Sequence, residues 1–187
     1  MSDFFPEWYS PELPDRNSCV IRPLLDRGKN QHPDRVFAKF EDGTEWTYFD
    51  IWLKVRSWAA GLQKVGVSEG DAVLVWLPNR PEIINAWFAI NYIGASYAPV
   101  NTAYRGDLLA HVIKNSGAKV LIAHRDLISR LSDIDLAKLR LVISIGDLPQ
   151  ISLPILLKNS EILDDHPDNV LVTRDMMPWD TAAIIYT

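Results

Sequence analysis

Four histidines, one cysteine and 24 acidic side chains are the groups in this 187-residue chain that could move protons, hold a metal or act as nucleophiles. Their spacing argues against each in turn. His32, His111, His124 and His166 form no pair at i and i+4, and no His-Glu-x-x-His run exists, so a helix-borne zinc site is excluded. His124 directly follows an expected strand, where open α/β sheets place ligand-facing side chains. His111 falls opposite the apolar stripe of its helix and reads as solvated. His32 and His166 each precede a proline and read as loop residues. Cys19 is the only cysteine, which removes an intrachain disulfide and a thiolate metal cluster. Beside Val20 and Ile21 it reads as a small core residue, not a nucleophile. No Gly-x-Ser-x-Gly elbow is present. Asp164 and Asp165 are adjacent, and adjacent residues on a helix do not converge, so they are not a paired-carboxylate site. A phosphate cradle needs successive backbone N–H groups freed by glycine, yet the nine glycines stand singly, without Gly-x-Gly-x-x-Gly or a Walker sequence. Read by pattern alone, the chain is an α/β domain without an active-site motif.

Composition narrows the class. With 48% hydrophobic and 23% charged residues, the chain can build a core and is not a disordered polymer. Nineteen basic side chains against 24 acidic ones leave a formal charge of -5, which gives no electrostatic attraction for a nucleic-acid backbone. The charge is unevenly placed. Residues 159 to 180 hold Glu161, Asp164, Asp165, Asp168, Asp175 and Asp180 against Arg174, so this segment alone accounts for the net -5. Such a stretch reads as an acidic, solvated linker. The first residues, Met-Ser-Asp-Phe-Phe-Pro-Glu-Trp, lack the basic start and apolar run of a signal peptide, and no stretch reaches the roughly 18 apolar residues of a membrane span. A reducing, cytoplasmic setting is the expectation.

The elements that would position any chemistry are legible from periodicity. Pro6, Pro11 and Pro14 forbid a regular element in residues 1 to 17, while Phe4, Phe5, Trp8 and Tyr9 want burial, so an irregular arm is expected there. Ser18 is placed to cap a helix over residues 19 to 29. Residues 35 to 40 and 45 to 47, joined by Asp42-Gly43, read as an antiparallel ribbon. Thr47 and Asp50 form a capping box for a long helix whose stripe is Ile51, Val55, Trp58, Leu62 and Val65. Trp58 sits on that stripe and is expected to pack, not to stack on a base. Residues 72 to 77 read as a strand covered on both faces. Asn79 is placed to cap the next helix, with Pro81 in its first turn, and residues 83 to 93 are apolar on most sides, as in a central helix. Further strands are expected at 96 to 100, 119 to 123, 139 to 145 and 182 to 186, with helices at 107 to 116 (Leu108, Leu109, Val112 and Ile113 inward) and 126 to 131. Residues 151 to 157 are apolar but carry Pro154, leaving strand and loop equally open. From residue 72 onward strand and helix alternate, which predicts an α/β, doubly wound, mostly parallel sheet flanked by helices.

Several stretches, in order, resemble the amino-terminal part of the large domain of the adenylate-forming enzymes, the acyl-CoA synthetase-like superfamily. They are Thr47-Tyr48, Ala59-Ala60-Gly61-Leu62, Gly66 to Asp71, Pro78-Asn79-Arg80-Pro81-Glu82, Gly94 to Asn101 with Tyr104-Arg105, and Asp180 to Thr187. The last looks like the strand that leads into that family's Ser/Thr/Gly-rich phosphate loop. The resemblance covers residues 35 to 147 and 178 to 187, while the arm and residues 148 to 177 match loosely. It implies an ATP-dependent carboxylate–CoA ligase in which a carboxylate attacks the α-phosphate of ATP, releasing pyrophosphate, and the thiol of coenzyme A then displaces AMP. ATP, Mg²⁺ and coenzyme A are the implied cofactors of the full-length enzyme, and a small-molecule carboxylate is its substrate. Thr187 matches the first residue of the phosphate loop and is the one cofactor-binding residue carried over; no catalytic or metal-binding residue is. Asn79, Asn101 and Arg105 match the family pattern and are expected to serve as caps and buried polar connections of the lobe.

The expectation is therefore an incomplete AMP-binding domain over residues 18 to 187. An apolar strand that stops where a sheet edge needs a loop reads as a truncation, inactive by itself. A non-catalytic binding or regulatory protein keeping half of the fold is the alternative reading. A nucleotide-binding dehydrogenase-like domain lacks its glycine fingerprint.

Overall fold

The computed structural model describes residues 15–186, with the side chains of residues 16 and 17 outside the description. The irregular arm up to residue 14 and the phosphate contact at Thr187 lie outside the described residues. One helical turn, α1 (Arg16–Cys19), precedes α2 (Ile21–Gln31). An antiparallel ribbon follows, β1 (Val36–Lys39) with β2 (Glu45–Thr47), paired Val36 to Thr47 and Lys39 to Glu45.

The long helix α3 (Tyr48–Lys64) starts where the capping box predicts. The Asp50 backbone N–H donates to the Thr47 hydroxyl at 3.1 Å, and the Asp50 carboxylate accepts from the Thr47 backbone N–H at 2.8 Å. Two otherwise orphaned donors of the first turn are thereby satisfied.

The centre is a five-stranded, all-parallel sheet in the order β4-β3-β5-β6-β7. Its strands are β3 (Ala72–Trp76), β4 (Ser96–Pro99), β5 (Val120–His124), β6 (Leu141–Ile145) and β7 (Leu156–Asn159). Successive side chains of β3 go to opposite faces. Val73 and Val75 join a core with Ile51, Val55 and Leu62 of α3 and Ile90 of α4 (Pro81–Tyr92). Leu74 and Trp76 join a second core with Leu109, Val112 and Ile113 of α5 (Gly106–Ser116) and Ile128 of α6 (Arg125–Ile128). Both faces are covered, so the doubly wound expectation holds.

The acidic segment packs back on the first core. Leu163 is fully buried, Val170 and Met176 are buried, and Trp58, itself buried, donates its indole N–H to the Asp164 carboxylate at 3.1 Å. Trp58 is thus a packing residue. Gly61 allows this contact, because a methyl at its Cα would overlap the backbone of Leu163.

Several local expectations are corrected. Ser18 lies inside α1, and Val20 is the N-cap residue of α2; no side-chain cap is used there. Cys19 is exposed, its thiol turned to the Asp15 carbonyl at 3.3 Å, because the break at Val20 separates it from the apolar face of α2. That face instead buries Arg22, whose guanidinium donates twice to the Tyr92 carbonyl, at 2.9 and 2.6 Å. Helix α4 is not fully enclosed: Trp87 is 39% exposed, although its ring stacks on Tyr97 of β4. Leu108 is likewise exposed, one position off the buried stripe of α5. Of residues 151 to 157, only Leu156 and Leu157 reach strand geometry, in β7.

Two substitutions test this packing. Gly61→Ala would gain about 1 kcal/mol if helix propensity alone decided; overlap with the Leu163 backbone instead predicts a loss of about 1–3 kcal/mol, read as a lower urea midpoint by tryptophan fluorescence. The second concerns Asp50. Hydrogen bonds from the Thr47 backbone and hydroxyl hold its carboxyl below the usual range. A lowered folded value contributes stability that is full above an unfolded value of about 3.9 and fades as pH falls through the folded one. Asp50→Ala should therefore cost about 1 kcal/mol at neutral pH, and the gap from the native protein should narrow in melts below about pH 4.

Candidate functional site

Parallel α/β sheets bind ligands beyond the carboxyl ends of their strands, where the chain reverses its winding direction. Here that point lies between β3 and β5, because β4 is laid on one side of β3 and β5 on the other. The connection after β3 runs into α4 on one face, while that after β5 runs into α6 on the other. The general rule places the ligand crevice of such a sheet at this point.

Its walls are polar and charge-balanced. Arg80 is the N-cap residue of α4, with Pro81 at the first position. Its guanidinium donates from Nε and Nη2 to the two carboxylate oxygens of Glu82, both at 2.7 Å, a bidentate pair. Burial pushes the Glu82 carboxyl up, but the Arg80 hydrogen bonds, its own backbone N–H and the charges of Arg80 and His124 outweigh this and hold it below its usual range. The Arg80 guanidinium is raised by the same pairing. A cavity of about 500 Å³ adjoins this pair, lined by Phe40, Asp42, Asn79, Arg80, Ile83 and Ile84 between the ribbon turn and α4.

From the other wall, His124 ends β5 half-buried and accepts the Asp126 N–H at Nδ1 (3.4 Å), capping α6. It therefore has a structural partner and also lies near enough to Glu82 for their charges to interact. Beyond it, Arg125 pairs with Asp147 after β6. The loop after β4 is pinned from below. The buried Trp76 donates its indole N–H to the Asn101 carbonyl at 3.1 Å, and Arg130 donates to the Thr102 carbonyl at 2.6 Å. The Asn101 side chain accepts the Ala103 N–H at 2.9 Å, but Asn101 is exposed, so this is a surface turn contact and not the buried connection expected.

Asn79 is exposed and does not cap α4; Arg80 takes that position because Pro81 must sit at the first helical residue. Arg105 is exposed at the N-cap of α5. His111 is exposed, His32 ends α2, and His166 caps a one-turn 3₁₀ helix, accepting the Asp168 N–H at 3.3 Å. The Arg80–Glu82 pair and the Trp76 and Arg130 braces were not singled out from sequence. The Arg-Pro-Glu run at a helix start was their one visible signal, since only the fold brings Arg130 to residue 102.

Residues 182 to 186 do not form a strand; they make one parallel bridge, Ala183 with Tyr97, at the outer edge of β4. Tyr97 donates to the Ala182 carbonyl at 3.0 Å and Ile184 to the Tyr97 carbonyl at 2.9 Å. Ile184 and Tyr186 pack partly on the α5 core, beside Tyr104. The path runs toward the same carboxyl edge as the crevice.

Comparison with known proteins places this geometry. The sequence profile described as "AMP-binding enzyme" matches residues 25–187. The chain belongs to the AMP-binding enzyme family. It is 29% identical over 145 residues to 4-coumarate–CoA ligase 3 of Arabidopsis thaliana, covering 78% of this chain and 25% of that one. It is 36% identical over 120 residues to a medium/long-chain-fatty-acid–CoA ligase of Mycobacterium tuberculosis, covering 64% of this chain and 20% of that one. The chain thus spans about a quarter or less of the curated relatives it matches. Among solved structures, a long-chain-fatty-acid–CoA ligase of Archaeoglobus fulgidus superposes with a TM-score of 0.74 at 22% identity, over 98% of this chain and 36% of that one, a likeness of fold. This AMP-binding chain has the α/β, mostly parallel architecture expected of the acyl-CoA synthetase-like fold. No helix among the described residues is long and apolar enough to cross a membrane.

The crevice electrostatics carry a direct test. In Arg80→Ala the burial of Glu82 remains while its strongest opposing partner is lost, so the Glu82 carboxyl should titrate at higher pH than in the native protein. Carboxyl-carbon NMR titration reads the shift; an unchanged Glu82 would show that Arg80 does not set its charge.

Proposed function

We propose that these residues are the amino-terminal portion of an ATP-dependent carboxylate–CoA ligase, which forms an acyl-adenylate and then an acyl thioester in the whole protein. ATP, Mg²⁺ and coenzyme A are its cofactors, a small-molecule carboxylate its substrate, and Thr187 a contact to phosphate at the start of the phosphate loop. The observation that carries the reading is the bridged path of residues 182 to 184, parallel to β4 and directed at the carboxyl edge.

The described residues do not by themselves fit the cofactors. No three His, Cys, Asp or Glu side chains among them converge as for a metal ion, and the glycines of the chain stand singly. Both guanidinium groups of the crevice, Arg80 and Arg125, are engaged by carboxylates. What this part of the ligase supplies is the rigid edge: a covered sheet, a braced loop after β4 and a cavity beside Arg80.

The 187 residues alone should form no detectable acyl-CoA from ATP, coenzyme A and a panel of carboxylates by mass spectrometry; product would overturn this assignment of roles. The coding sequence after Thr187 gives a sharper check. Continuation into a Ser-Gly-Thr-Thr-Gly-like run, with ATP–pyrophosphate exchange by the product, supports the ligase. A stop codon there transfers the reading to a non-catalytic binding or regulatory protein.

A further inference from the structure

The segment that follows the acidic stretch is gripped at its amino end by one side chain. Arg174 donates from Nη1 and Nη2 to the two carboxylate oxygens of Asp180, at 2.7 and 3.1 Å, and from Nε to Glu69 at 2.6 Å. Asp180 also accepts the Met177 N–H at 2.7 Å, closing the turn 177–180, whose Asp180 N–H returns to the Met177 carbonyl at 3.0 Å. Thr173 adds its hydroxyl to Glu69 at 3.3 Å. The Arg174 backbone is held as well, since its carbonyl accepts from the buried Arg22 at 2.8 Å. Beneath the turn, Gly94 stands at φ +76°, and a Cβ there would lie 2.8 Å from the Met176 sulfur, so Met176 seats directly on it. Three chain segments, just before β3, just before β4 and before residue 181, are thereby tied at the amino edge of the sheet.

From this tie the next residues are laid on β4. Ser96 donates its hydroxyl to the Thr181 carbonyl at 3.2 Å, and Asn91 donates to both the Ala95 and Ala182 carbonyls, at 3.1 and 2.7 Å. The bridge at Tyr97 follows. The register of this path is poorly specified by its own side chains. Ala182 and Ala183 are exposed, Ile185 is 64% exposed, and Ile184 and Tyr186 are half-buried. A slip of one residue would exchange the two faces at little hydrophobic cost. An isolated surface ion pair contributes little, but here one guanidinium fork serves two carboxylates, of which Asp180 also accepts a backbone N–H and Glu69 a threonine hydroxyl.

We propose that Arg174 is a positioning residue of the ligase: its clasp on Asp180 and Glu69 sets the register of residues 181 to 186 and so the course of the chain toward the carboxyl edge. This rests on the phosphate-loop reading above. The Asp180 carboxyl is held below its usual range by Arg174 and by the Met177 N–H and so stays ionised throughout the neutral range.

The test uses the whole ligase with Arg174→Ala, Arg174→Lys and Asp180→Asn. Lys64→Ala, which removes an ion pair to Asp165, serves as the control. Hydrogen exchange by mass spectrometry should accelerate about tenfold in peptides covering Tyr97 and residues 177–186 in the alanine and asparagine variants, with β5 and β6 unchanged. In ATP–pyrophosphate exchange the KM for ATP should rise about tenfold with the carboxylate KM unmoved, and lysine should restore part of the loss. Unchanged exchange at the edge, or faster exchange throughout the sheet, overturns the clasp. An active native enzyme whose Arg174→Ala variant keeps its KM for ATP overturns the positioning role. A native enzyme without ATP–pyrophosphate exchange on any carboxylate overturns the ligase reading and this role with it, while the hydrogen-exchange result still judges the clasp.

Discussion

Backbone hydrogen bonding between β3 and β5, sealed from water on both faces, is the constraint from which the rest of the structure follows. Four residue pairs, Val73–Val120 to Trp76–Ala123, form this ladder, and the buried strands can satisfy their N–H and C=O groups in no other way. Parallel pairing forbids a hairpin, so each strand must be left by a crossover that returns along a face. The crossovers become α4 and α5, on opposite faces, and both cores are built from them. The same geometry delivers every strand's carboxyl end to one edge. The crevice of Arg80, Glu82, His124 and Asn101 is a consequence of the ladder, not an independent construction.

Charge is organised around the ladder's two ends in different ways. At the carboxyl edge, Arg80 and Arg125 are paired with Glu82 and Asp147, which leaves a polar surface of balanced sign. At the amino edge, Arg174 joins Glu69 to Asp180 and ties a late segment to the sheet. The acidity of residues 159 to 180 therefore has structural uses. Asp164 receives Trp58, Asp165 receives Lys64, and Asp180 receives Arg174. The apolar residues between them, Leu163 and Val170, supply the burial that makes those contacts form.

Legibility in the sequence followed the range of the interaction concerned. The capping box at Thr47 and Asp50, the stripe of α3 and the strands at β3, β5 and β6 depend on neighbours within a few residues or on simple apolar runs, and the reading of each held. Misreadings arose where a partner distant in sequence decides. Cys19 was read as buried because its neighbours are apolar, but a helix break turned it outward. Trp87 was read as enclosed because α4 is apolar on most sides, yet it is exposed. Residues 182 to 186 look like a strand, but strand geometry needs partners, and one bridge to Tyr97 is what β4 offers. The crevice pair Arg80–Glu82 was visible as a motif without its meaning, because the meaning comes from His124, which β5 brings alongside.

The sequence by itself determined the α/β class, the alternation of strand and helix and the family. Those properties are written in local periodicity and in short motifs whose order survives without coordinates. Tertiary structure alone decided the strand order, the burial of Arg22 under the Tyr92 carbonyl, the close approach of Leu163 to Gly61 and the triple grip of Arg174. The contacts of Arg22 with Tyr92 and of Arg174 with Glu69 join residues 70 and 105 positions apart, and such contacts are selected by packing and charge complementarity, not by the residues adjacent in the chain.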